Sequence, residues 1–395
     1  MLRCISVFSL LVVFCCSCLA SADDGTLYRH FVVNATSRNA VCNDGSPPAY
    51  YVRLAEGSSD WLIYLEGGGG CYDEQSCLER YQSSQFLMTS SLSAETFSFS
   101  GPVSSNCTAN PAMCRFNVAY IHYCSSDWWA GTYPSSKSGN KFHFFGRNIV
   151  QAVVEDLLDE TVNSTISGSM KTATRVILAG DSAGGCGTFQ HADSLASFLR
   201  ASLDVGQDLV YGAIPDCGWF LGGDGFKEYA CTNNEVCNVE HRFRSGESMW
   251  GLSPPVDCAA AHPSDLWKCL TGNVIYTFIK EPVFPFLFLT DAWQAVQDGI
   301  DIHHPYSQSE TAWEESRESE NRGYIQGDNM KSVYAVNCVQ HVMLYVNSYT
   351  DIVVDGVTPS MAIKEWLDGG MQEVKHVDSC TGVNCNKSCP YSFPQ

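Results

Sequence analysis

The stretch Arg175-Val176-Ile177-Leu178-Ala179-Gly180-Asp181-Ser182-Ala183-Gly184-Gly185 decides the fold. Its first five residues form a short β-branched apolar run, the pattern of a buried strand. Glycines follow at once, and a helix-like stretch continues through Leu203. A strand that passes straight into a helix through Gly-x-Ser-x-Gly forms the sharp turn that exposes a serine at the top of a sheet. Gly180 and Gly184 are required there because the strand and helix backbones approach closely. Ser182 then lies at a helix N-terminus, where aligned N–H groups favour negative charge.

Outward from this turn, strands alternate with helices. Trp61-Leu62-Ile63-Tyr64-Leu65 is an apolar run that stops at Glu66-Gly67-Gly68-Gly69-Gly70, a buried strand feeding a glycine loop. Phe116 to Tyr123, Val210 to Ile214 and Phe286 to Leu289 read as further strands. Phe145 to Leu158 and Ala292 to Val296 read as helices. The alternation predicts a mostly parallel α/β sheet with helices on both faces. No linker or repeat interrupts it, so one domain is expected over residues 23–395, ending in a Cys-rich tail.

Composition bounds the partners. The 395 residues carry 23 Lys+Arg against 43 Asp+Glu, a formal charge of -20. Long-range repulsion then argues against nucleic acid or an anionic membrane as the main partner. The same repulsion disfavours a polyanionic substrate. Residues 1–22 carry Arg3, an apolar run from Ile5 to Leu19 and a small-residue end, the layout of a cleaved secretory signal. The run is too short to span a bilayer. A secreted, extracellular chain without stable membrane insertion is expected.

Four of the 20 cysteines lie in that signal, leaving 16. An even number in an oxidising compartment predicts disulfides throughout. Cys380, Cys385 and Cys389 are closely spaced but lack the Cys-x-x-Cys or His-x3-5-His companions of a zinc site, so no metal and no cofactor is expected. Asn34, Asn106, Asn163 and Asn386 stand in Asn-x-Ser/Thr sequons, each a candidate glycosylation site.

A serine nucleophile needs donors for a developing oxyanion, a base and an orienting acid. The glycine loop at 67–70 supplies unobstructed backbone N–H groups. The acid and the histidine should follow Ser182 in that order. Asp291 has the best local context, since it ends an apolar run and precedes a helix; Asp351 and Asp355 stay open. Spacing alone does not choose among His191, His241, His262, His303, His304, His341 and His376.

Leu65-Glu66-Gly67-Gly68 with Cys71, and Ala179-Gly180-Asp181-Ser182-Ala183-Gly184-Gly185, resemble the pectin acetylesterase/Notum family of secreted serine carboxylesterases. Cys42-Asn43-Asp44-Gly45-Ser46-Pro47, Tyr123-Cys124-Ser125-Ser126-Asp127-Trp128, Cys217-Gly218-Trp219-Phe220-Leu221 and Tyr349-Thr350-Asp351 are similar to its Notum branch. The resemblance runs from about Cys42 to Trp366. It implies an α/β-hydrolase-like fold with Ser182 as nucleophile, Asp291 as acid, His341 as base, and Gly68, Gly69 and Ala183 as oxyanion donors.

Two departures stand out. The family places an aromatic residue just before the loop cysteine, where this chain has Gly70. Trp128, Trp129 or the group Phe278, Phe284, Phe286 and Phe288 are the candidates to replace that wall. Cys186 stands where the Notum branch has threonine, and it is expected to be paired. The resemblance implies hydrolysis of an O-linked acyl ester, such as palmitoleate on a Wnt-like secreted protein. The alternatives are release of acetate from a cell-wall polysaccharide, or an inactive glycan- or lipid-binding module.

Overall fold

The computed structural model describes residues 25–390, except 139–140, 163–165, 167–168, 228–230, 232–236, 328–329 and 346–347. The expected signal at 1–22 and the sequon at Asn163 lie outside the described residues.

Ten strands form one sheet: β1 (Leu27–Phe31), β2 (Ala49–Arg53), β3 (Asp60–Leu65), β4 (Thr96–Phe97), β5 (Asn117–Ile121), β6 (Arg175–Asp181), β7 (Val210–Asp216), β8 (Phe286–Asp291), β9 (Val333–Gln340) and β10 (Lys375–Val377). Their order is β10-β9-β8-β7-β6-β3-β5-β2-β1-β4. From β10 to β5 every pairing is parallel, and β2, β1 and β4 continue the sheet antiparallel at one edge. The expected parallel α/β sheet is present, with an antiparallel margin that the sequence pattern did not reveal.

The central strands read as continuous apolar runs because both faces are covered. Trp61, Ile63 and Leu65 enter one core with Val176 and Leu178, whereas Leu62 and Tyr64 enter the other with Ile177 and Ala179. This is the two-residue period of a strand, expressed on two buried faces. The helix Ala183–Ser202 closes the first face through Phe189, Leu195 and Leu199. The helix Pro359–Asp368 closes the second through Ile363 and Trp366.

Parallel register brings the strand ends level. Leu65 pairs with Gly180, Asp181 with Asp216, and Asp291 with Gln340. The residues just beyond β3 and β6, the end of β8 and the residue after β9 therefore share one carboxyl edge, where open α/β sheets place ligands.

Seven disulfides occur among the described residues: Cys42–Cys124, Cys71–Cys77, Cys107–Cys114, Cys231–Cys237, Cys258–Cys269, Cys338–Cys389 and Cys380–Cys385. The tail cysteines are thus used in pairs, and Cys338–Cys389 ties the tail to β9. The expectation that all 16 pair does not hold: Cys186 and Cys217 are free and buried. Cys186 Sγ lies 3.3 Å from the Gly218 carbonyl, so the thiol serves as a small buried donor. Burial pushes its pKa far up, which leaves it inert.

Candidate active site

Ser182 sits between β6 and the helix Ala183–Ser202 with φ 54° and ψ -117°, a left-sided conformation rare for a side-chain-bearing residue. Its N–H donates to the Asp216 carbonyl at 2.8 Å, which fixes the turn. The turn closes because its flanking residues lack side chains. A Cβ at Gly180 would stand 2.6 Å from the Gly184 carbonyl oxygen, and one at Gly184 would overlap the Leu65 carbonyl.

Three side chains from three strand ends then meet. Ser182 Oγ lies 2.8 Å from His341 Nε2, and His341 Nδ1 lies 2.7 Å from Asp291 Oδ2. An ionised carboxylate only accepts, so Asp291 fixes the imidazole proton on Nδ1 and leaves Nε2 free to accept from Ser182. Asp291 is itself held, because it caps the helix Ala292–Gln297 and its Oδ1 accepts the Gln294 N–H at 2.9 Å. Burial disfavours the imidazolium, but the charge and hydrogen bond of Asp291, with Asp216 and Asp181 behind it, outweigh that. The His341 pKa is held above its ordinary value.

Of the seven histidines that spacing left open, only His341 joins this chain. His191 lies buried in the helix after Ser182, with Nε2 2.8 Å from the Trp129 carbonyl; burial drives its pKa down to about 3. Asp351 and Asp355 are exposed and remote from these hydrogen bonds.

The glycine loop stands opposite Ser182. Gly68 and Gly69 have φ of 134° and 65°, which turns the backbone in a way that L side chains rarely follow. A Cβ on Gly68 would meet the Leu87 side chain at 2.9 Å. Glu66 anchors the loop: its Oε2 lies 2.6 Å from His122 Nδ1 and accepts the Tyr123 N–H at 2.8 Å. Ala183 opens the helix directly after Ser182.

Two supporting groups escaped sequence reasoning. The buried Asp216 carboxylate accepts the Met343 N–H at 2.9 Å and the Leu344 N–H at 2.8 Å, pinning the loop that carries His341. Burial pushes its pKa up to about 7. Its signal was available, since it is an acid ending a strand on the carboxyl edge, directly before the Cys217 string. Trp293 is the second. Its ring stacks on His341 with centroids 6.0 Å apart.

Trp128 stands beside the loop position that lacks an aromatic residue, but it is buried and is not among the side chains that line the cleft. Its Nε1 would stand 2.7 Å from a Cβ on Gly70, so the indole already fills that volume. It packs edge-on against Trp293 at 5.6 Å. Phe284, Phe286 and Phe288 belong to the core on the opposite face of the sheet, and Phe278 packs near His262. Trp129 is buried and donates from Nε1 to the Glu66 carbonyl at 3.0 Å.

A cleft of about 770 Å³ opens in front of Ser182. Besides glycines, its lining includes Trp293 and Val342 as the apolar side chains, with Glu79, Arg80, Gln82, Asp181, Arg242 and Gln297 among the polar ones. Of the candidate sequons, Asn34 and Asn106 are exposed, but Asn386 is not available in the same way. Its Nδ2 donates to the Val353 carbonyl at 3.0 Å and to Asp378 at 2.6 Å.

The pectinacetylesterase family pattern matches residues 20–390. The palmitoleoyl-protein carboxylesterase notum1a of Danio rerio is 30% identical over 388 residues, covering 94% of this chain and 74% of that protein. The palmitoleoyl-protein carboxylesterase NOTUM of Homo sapiens is 29% identical, covering 94% and 75%. The solved structure of the Wnt deacylase Notum from Drosophila superposes with a TM-score of 0.81 at 28% identity, over 93% of this chain and all of that one. No helix among the described residues is long and apolar enough to cross a membrane. The chain belongs to the pectinacetylesterase family, whose members are carboxylic ester hydrolases.

Proposed function

We propose that this chain is a secreted serine carboxylesterase that removes an O-linked acyl group from an extracellular carrier. The observation that carries the proposal is the hydrogen-bonded chain Ser182–His341–Asp291 at 2.8 and 2.7 Å beside a glycine loop. In the reaction, His341 Nε2 takes the Ser182 proton as Oγ attacks the ester carbonyl, and Asp291 steadies the resulting imidazolium. The N–H groups of Gly68, Gly69 and Ala183 receive the oxyanion. Collapse returns the proton to the leaving alcohol and leaves an acyl-enzyme, which water attacks by the same route in reverse. The apolar leader at 1–22, with its small-residue end, supports secretion.

The carrier in the leading reading is an acylated secreted protein, by analogy with the palmitoleoyl-protein carboxylesterases above. A second reading, release of acetate or another short acyl group from a polysaccharide, is favoured by the cleft itself. Each buried CH2 of an acyl chain gains about 0.8 kcal/mol only against an apolar wall, and Trp293 and Val342 offer little of one.

The test is a series of 4-nitrophenyl esters from acetate to octanoate, run on the wild type and on Ser182→Ala. Hydrolysis by the wild type alone supports the esterase reading. Rates that hold or rise with chain length favour the lipid substrate; a steep fall with length favours the short acyl group. Equal rates in the two proteins would defeat both readings.

A further inference from the structure

His122 follows β5 and is buried with a hydrogen-bond acceptor at each ring nitrogen. Its Nδ1 lies 2.6 Å from Glu66 Oε2, and its Nε2 lies 2.8 Å from the Phe86 carbonyl oxygen and 3.4 Å from that of Thr89. An ionised carboxylate and a backbone carbonyl can only accept. A neutral imidazole has one N–H, so its second nitrogen would set a lone pair against an acceptor. The surroundings therefore call for a proton on both nitrogens, which makes the ring an imidazolium. His341 and His191 are placed differently. His341 Nε2 meets the Ser182 hydroxyl, which can donate, and burial drives the His191 pKa down to about 3.

The cation joins two backbone segments around the glycine loop. Glu66 leads directly into Gly67–Gly70, and its Oε2 also accepts the Tyr123 N–H at 2.8 Å. Phe86 lies in the turn Gln85–Leu87, whose Leu87 side chain stands 2.9 Å from where a Gly68 Cβ would be. His122 thus ties the start of the loop to the turn that backs Gly68. A neutral ring would keep only one of those ties and would leave the partly buried Glu66 carboxylate beside an uncharged neighbour. Burial opposes the charge on His122, but the Glu66 carboxylate and the Thr89 and Phe86 carbonyls outweigh it. The His122 pKa is held above its ordinary value. Around the pair, Arg80 attracts the Glu66 charge and Asp181 repels it. The nearby Tyr51 and Tyr120 hydroxyls stay protonated because burial, helped by Glu66, raises their pKa.

We propose that His122 is a positioning residue for the reaction: as an imidazolium between Glu66 and the Phe86 carbonyl, it holds the glycine loop in the form that receives the oxyanion, and loss of its proton sets the alkaline limit of activity. This proposal rests on the esterase reading above, in which Gly68 and Gly69 supply oxyanion donors. A pKa raised in the folded state means that the charged form, and the order it imposes, is present at lower pH and is lost as pH rises through the folded value. The sense is opposite to that of His341, whose protonation removes the base as pH falls.

The test is kcat/KM for 4-nitrophenyl butyrate from about pH 6 to about pH 10, a range spanning the histidine and tyrosine values, with the Ser182→Ala rate subtracted at each pH. The wild type should show an alkaline fall. His122→Gln, which is neutral throughout, should lose that fall and run about tenfold slower at the wild-type optimum, the cost of a loosened rather than a deleted donor. His122→Arg keeps its charge at every pH used and offers donors on two edges, so its activity should persist where the wild type declines. Glu66→Gln removes the carboxylate that favours the imidazolium, so its fall should begin at lower pH. Activity that stays level at high pH overturns the proposal. So does a His122→Gln that is slower but keeps the wild-type fall, the mark of a merely structural role. Should neither His122 variant fold, Glu66→Gln decides: a fall displaced to lower pH supports the proposal, and an unmoved one overturns it. Hydrolysis no faster than that of Ser182→Ala at any pH would instead overturn the esterase reading itself.

Discussion

The cleft has two sides built on different principles. One side is the carboxyl edge of the sheet, where β6, β8 and β9 deliver Ser182, Asp291 and His341 through backbone register and tight turns. The other is a wall of helix side chains, where Arg80 and Arg242 are placed by tertiary packing. Chemistry on the first side depends on geometry that few substitutions tolerate. The second side is made of side chains that reach the cleft from separate helices.

Substitutions on the edge should be severe. Asp291→Asn removes the carboxylate that fixes the imidazole tautomer, and kcat should fall by about 10⁴-fold with little change in Tm. Gly184→Ala drives a Cβ into the Leu65 carbonyl; the urea midpoint should fall by the equivalent of about 3 kcal/mol, at the upper end for overpacked cores. A Gly184→Ala protein with wild-type stability would show that the turn is looser than the close approach implies.

Milder effects come from the groups behind the edge. The raised pKa of His341 places the acid limb of kcat/KM above its ordinary value of 6.5, with activity lost as pH falls and the base is protonated. Asp216→Asn removes a charge that favours the imidazolium and weakens the anchor of the 342–344 loop. The limb should move to lower pH and kcat should fall roughly tenfold. A purely structural role for Asp216 would lower kcat and leave the limb in place.

The smallest effect concerns stability. Burial raises the pKa of Asp127 and Asp181 to about 6, of Asp216 and Asp298 to about 7, and of Glu314 to about 8. A carboxyl group raised in the folded state stabilises the protein below its unfolded pKa, and that stability is lost as pH rises through the folded value. Tm should therefore be several degrees higher near pH 5.5 than at pH 8. A Tm that rises toward pH 8 would contradict this sign.

The sequence was legible where local chemistry and global position agree. The runs at Trp61–Leu65, Arg175–Ala179 and Phe286–Leu289 are apolar because both faces of those strands are buried, and the glycines at 180 and 184 announce a close approach. Reading Asp291 as a strand-end acid needed nothing further. His341 was different, because β9 carries Asn337 in its buried middle and does not look like a strand. Asn337 Nδ2 donates to the Gly382 carbonyl at 3.1 Å, so a segment 45 residues away satisfies a polar group that the pattern could not excuse. The resemblance to a known family supplied what periodicity left open. The long helix Gln308–Gln326 was missed because it is polar on most faces; a capping box at Ser307 and Glu310 was its local signal. The polar wall of the cleft was not legible at all, since Arg80 is an ordinary helix residue until its surroundings are known.

The central claim is that Ser182, activated by His341 and Asp291, is the nucleophile of this cleft. The most direct measurement is labelling of the purified protein with a fluorophosphonate, followed by mass spectrometry of the digested adduct. The account predicts one adduct, on the peptide containing Ser182, absent from Ser182→Ala and much slowed in His341→Ala. An unlabelled wild type, or an adduct on another residue, would contradict it.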